Sequence, residues 1–106
     1  MAEIIAGGLT QAEIDKLKKK HGSLRLISVE DGDTHIHFFF KKPNMNVIAA
    51  VQTIAERDVI AATQQFFKEC LVHGDPSYVD DVDVFMSIQP HLEKLIEERK
   101  VVVKNF

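Results

Sequence analysis

A single cysteine stands in the 106 residues, so no internal disulfide can form, and a lone thiol at Cys70 within an apolar helical pattern fits a reducing, cytoplasmic compartment. Basic charge is not in excess. Thirteen Lys and Arg against sixteen Asp and Glu leave a net charge of -3, without the positive balance that counterion release on nucleic acid favours, so no nucleic acid is expected as a partner. There is no long hydrophobic run. Met1 to Leu9 contains Ile4, Ile5 and Ala6 but no basic flank, so neither a membrane span nor a secretory signal is expected, and 1–9 reads as a flexible N-terminal tail. A glycine-rich phosphate loop, a nucleophile elbow and a paired-carboxylate signature are all missing, so the expectation is a non-enzymatic protein without a cofactor. No repeat, low-complexity tract or linker divides the chain.

What is present reads as one small globular domain over 10–106, with 45% hydrophobic and 27% charged residues, enough for one core and too few residues for two. Thr10 and Glu13 have capping-box spacing, opening a short helix with Ile14 and Leu17 on one side, lysines toward its C-terminal end and Gly22 as its stop. Leu24–Val29 and Thr34–Phe40 are β-prone runs flanking Glu30, Asp31, Gly32 and Asp33, the signature of a hairpin. Alternation places Ile36, Phe38 and Phe40 on one face, expected inward, and His35, His37 and Phe39 on the other. Lys42 before Pro43 ends the strand, and Pro43 or Asn44 opens a helix.

From Val47 onward apolar residues recur at helical spacing, and a second phase starting at Val59 predicts two helices joined near Asp58, or one bent helix. In the two-helix form Asp58 caps the second. His73, Gly74, Asp75 and Pro76 form a loop. Asp80 or Asp81 then caps an amphipathic helix carrying Phe85, Ile88, Leu92, Leu95 and Ile96, expected to reach Lys100 with a kink or a break at Pro90. Val101, Val102 and Val103 either extend that helix or form a short strand. The fold class is therefore α+β, a β-hairpin packed on three or four helices.

The candidate chemistry is sparse. His35 and His37 project from one strand face about 7 Å apart, and two imidazoles do not complete a metal site, so the reading is of solvent-facing histidines and no metal. Asp75, Asp80, Asp81 and Asp83 lack the alternating acids, central glycine and terminal glutamate of a calcium loop and are assigned to capping. Cys70 falls in phase with Phe66 and Phe67, which makes it a buried apolar side chain despite the nearby His73. Lys18, Lys19, Lys20 and His21 with Lys41 and Lys42 form a small basic patch if the first helix packs near the hairpin's end. Phe39 is either a dimer or partner surface, or is covered by an extra helix such as the N-terminal one.

This order of elements, with Phe40, Lys41, Lys42 and Pro43 leading into helices and Gly74 with Asp75 preceding an acid-capped helix, resembles small tail-assembly-chaperone-like proteins of phages and prophages. The resemblance spans Ile36 to Lys100. It implies a non-enzymatic protein of a bacterial host cytoplasm that holds an aggregation-prone protein, typically the helical tape-measure protein, through an apolar groove or amphipathic helix. Lys42, Pro43, Gly74 and Asp75 are then its motif positions, with structural duties. The candidate partner surface comprises Phe39, Lys41, Lys42, Phe85 and Leu92, with the stripe of the last helix, which carries Phe85 and Leu92, read first as the domain's own core. The alternative is a small homo-oligomeric structural or adaptor protein of a phage-derived locus, and a metal-binding or nucleic-acid-binding module is third.

Overall fold

Thr10 does begin a helix, and both halves of the capping box close. Its hydroxyl accepts from the Glu13 amide at 3.3 Å, while Glu13 Oε1 accepts from the Thr10 amide at 3.1 Å. The protein's structure, a computed structural model, describes residues 4–96 and 99–106. Helix α1 is Gln11–His21. Ahead of it, β1 (Ile4–Ala6) and β2 (Leu9–Thr10) form an antiparallel ribbon turned at Gly7 and Gly8, both with positive φ, in the segment read from sequence as a tail. Residues 1–3 lie outside the described residues.

The hairpin β3 (Leu24–Asp31) and β4 (Thr34–Lys41) pairs from Leu24 opposite Lys41 to Asp31 opposite Thr34. Gly32, at φ 63°, takes the left-handed conformation at the first position of the two-residue loop. A third strand, β5 (Leu71–His73), follows the third helix directly and pairs antiparallel with β4, giving the order β3-β4-β5. Sequence periodicity missed β5 because three residues are too few to show alternation. The structure is α+β.

Asn44 caps α2 (Met45–Ala55), accepting from the Val47 amide at 2.9 Å, and Asp58 caps α3 (Val59–Cys70), accepting from the Ala61 amide at 3.0 Å. Asp58 therefore marks a break between two helices. Asp75 caps a 3-10 turn, Pro76–Asp80, and Asp81 caps α4 (Val82–Leu92) through the Val84 amide.

Pro90 sits inside α4. It has no amide to give the Met86 carbonyl, and the helix ends two residues later, tightening into a 3-10 turn, Glu93–Leu95. This corrects the expectation of a helix reaching Lys100. The tighter turn still buries Leu95 in line with Ile88 and Leu92. Glu97 and Glu98 lie outside the described residues, and from Arg99 to Phe106 the chain has neither helix nor strand.

The central strand β4 is packed on both faces. Ile36, Phe38 and Phe40 face α3 and α4, where Phe67 meets Phe38 and Phe40 edge-on at centroid distances of 5.6 and 5.4 Å, and Tyr78 meets Phe38 at 5.8 Å. On the other face Phe39 packs with Leu9 and Ile14, flanked by Ala6, Leu17 and Leu24. Gly74 is required by this packing. Its φ is +139°, and a β-carbon there would lie 2.9 Å from Phe38 Cδ1 and 3.1 Å from the His37 carbonyl oxygen.

Candidate partner-binding surface

Three of the five residues named from sequence as a partner surface are internal. Phe39 is buried because the N-terminal ribbon and α1 close over its face, so the covering-helix alternative describes it and the exposed-aromatic reading is corrected. Phe85 and Leu92 are buried because the α4 stripe is needed for the domain's own core. Lys41 is half-buried at the end of β4, and Lys42 is exposed. Leu24, which follows α1 by two residues, pairs with Lys41, so the lysine-rich end of α1 and Lys41 stand at one end of the sheet.

The surface that physical chemistry singles out lies elsewhere, on α2 and the start of α3. Helix α2 contains no charged residue, yet none of its residues is buried. A helix that is apolar around most of its circumference is ordinarily enclosed. Here Val47 and Val51 lean on the core from one side, and Met45 remains 75% exposed. Val59 and Ile60 open α3 at 61% and 46% exposure, while its later turns bury Phe66, Phe67 and Cys70. Between the two helices and the end of α4 runs a groove of about 400 Å³, with Ile48, Val51, Ala55, Val59 and Ala62 among its walls. Leu92 and Phe66 line it from the core side, and Glu93 is its one acidic residue. A smaller groove of about 260 Å³ lies on the other side of α3, where Ile60, Val82 and Met86 are exposed.

This face was legible in the sequence as eleven successive uncharged residues, Met45 to Ala55, in a chain where every other long helix carries charge. Helical spacing alone did not distinguish it from an ordinary core helix. What the arrangement can do chemically is desolvate an apolar segment of another chain, since its walls offer side-chain carbon and few polar groups.

Several titratable groups have structural partners. His35 and His37 stack with ring centroids 6.5 Å apart, and His37 Nδ1 lies 2.7 Å from Ser28 Oγ. His73 Nε2 donates to the Gly7 carbonyl at 2.7 Å and its ring adjoins Phe39, pinning the N-terminal ribbon to β5. Burial pushes the Cys70 thiol up to about 11, with the Lys41 charge opposing, so the enclosed side chain packs in its neutral form. Hydrogen bonds from Ser77 hold the Asp75 carboxyl below its ordinary value, and those from Thr10 do the same for Glu13. Among the described residues no three His, Cys, Asp or Glu side chains stand close enough to hold a metal ion. No helix among them is long and apolar enough to cross a membrane.

No family model matches the chain, and no curated protein does. A solved structure, that of the uncharacterised protein rbstp2171 from Bacillus stearothermophilus, is similar in fold, with a TM-score of 0.58 and 16% sequence identity. The similarity covers 87% of this chain and 99% of that one. It extends the α+β arrangement to a second protein and carries no activity with it.

Proposed function

We propose that this is a non-enzymatic protein-binding module of a phage or prophage, acting in the bacterial cytoplasm as a tail-assembly chaperone that holds an apolar helical segment of a tape-measure protein against α2 and α3. The observation that carries this reading is α2 itself, an uncharged helix with no buried residue beside an apolar groove. An amphipathic helix laid into such a groove buries its apolar stripe, and the partner's aggregation-prone surface is what the interaction conceals. The run from Lys42-Pro43 into the α2–α3 pair, and Gly74-Asp75 ahead of the acid-capped α4, support the resemblance to tail assembly chaperones.

Co-expression with a phage tape-measure protein tests the reading. The tagged chain is expected to retain the tape-measure protein, and Val59→Asp, which puts a charge on the groove wall, is expected to release it. A retained complex in Val59→Asp would move the site elsewhere, and no complex with the unaltered chain would sink the chaperone reading. A homo-oligomeric adaptor is the second reading, favoured by the apolar residues exposed at the C-terminal end.

A further inference from the structure

Among the apolar features that the described residues leave without cover, two bear on each other. One is the α2–α3 groove. The other is the segment from Val101 to Phe106, in which Val101, Val102 and Val103 are 79%, 68% and 81% exposed and Phe106 is fully exposed. Ile96, five positions ahead of Val101 in the sequence, lines the groove, while the exposed valines are not among the residues that line it. The charges of the two features are opposite in sign. The groove wall carries Glu93, and Glu56, Arg57 and Asp58 leave the α2–α3 joint net acidic, while the segment carries Lys100 and Lys104 beside its valines.

We propose that the groove is occupied by Val101–Phe106 of a second copy of this chain, in a reciprocal exchange that forms a two-fold dimer. A two-fold axis sets the same patch of each copy against its mate, so a segment rooted at the rim of one groove emerges beside the mouth of the other. The exchange covers both apolar features in each copy and leaves neither open to further chains, which closes the assembly at two. Val101 to Val103 supply β-branched side chains whose burial loses little rotamer freedom, and Phe106 supplies an aromatic anchor. This inference takes α2–α3 as the binding face, as the proposed function does. The dimer then places this segment where a tape-measure helix would compete for it.

The test uses the full chain alone, so its outcome is independent of tape-measure capture. Light scattering is expected to give twice the 12.0 kDa chain mass, falling to the single-chain mass in Val102→Asp, with an unchanged far-ultraviolet dichroism spectrum. Because the segment makes no part of the core, that variant still folds. A second measurement fixes the partner of the segment. Chains bearing Val59→Cys are mixed with chains bearing Val102→Cys and oxidised, and a disulfide joining the two kinds of chain is expected. A wild-type chain of single mass, a dimer indifferent to Val102→Asp, or mixed chains that fail to cross-link would each overturn the proposal.

Discussion

The two sides of the helical layer obey opposite rules. Around β4, every large apolar side chain meets another: Phe38 touches Phe40, Phe67 and Tyr78, and even the strand's second face is closed by Leu9 and Ile14. On α2, a sequence at least as apolar stops half-covered, and the exposed side chains continue onto α3 at Val59 and Ile60. The difference is not one of composition. It separates residues whose burial stabilises this domain from residues that the domain leaves uncovered and that the proposed function assigns to a partner.

Substitutions on the two sides should therefore cost differently, and the contrast can be broken in order of size. Phe38→Ala removes the ring at the centre of the aromatic cluster and is expected to lower unfolding free energy by about 3–5 kcal/mol in urea titration. An effect under about 1 kcal/mol would mean the core is not where these contacts place it. Gly74→Ala forces a β-carbon toward Phe38 and the His37 carbonyl at a left-handed φ, and should cost about 1–3 kcal/mol. Asp58→Ala removes the cap between α2 and α3, with an expected loss of about 1 kcal/mol. Val59→Asp, on the open side, should shift stability by no more than about 0.5 kcal/mol while abolishing partner capture.

Titration sharpens the same contrast more gently. Cys70 is closed off by the core, so thiol reagents at pH 8 should modify the folded chain far more slowly than the urea-unfolded one. Its raised value works with a definite sign. The unfolded thiol ionises from 9.0 upward and the folded one only near 11, so the neutral form's contribution is whole below pH 9 and is lost as pH rises toward 11. Glu13 and Asp75 act oppositely. Their lowered values contribute stability above the ordinary carboxylate range, and acidification through their folded values removes it, an effect to be read as a small fall in melting temperature.

Much of the architecture was legible because local chemistry and tertiary structure agree. Thr10 with Glu13, Asp58, and Asp81 each accept the amide bonds that their positions announce, and the alternation of Ile36, Phe38 and Phe40 names the inward face correctly. The illegible parts are those decided by distant partners. β5 exists only because β4 offers it an edge, and Phe39 is covered only because a ribbon at Leu9 folds across it. Two of the candidate surface residues proved internal for a related reason. Phe85 and Leu92 advertise hydrophobicity by helical phase, but phase does not reveal whether a stripe meets its own domain or another.

The central claim is that α2 and the first turn of α3 form the partner surface, and hydrogen exchange on the tape-measure complex tests it most directly. Amides of Met45–Ala55 and the first turn of α3 should become markedly better protected on binding, with β4 unchanged. Protection gained on the His35 and His37 face, with α2 exchanging as in the free chain, would contradict it.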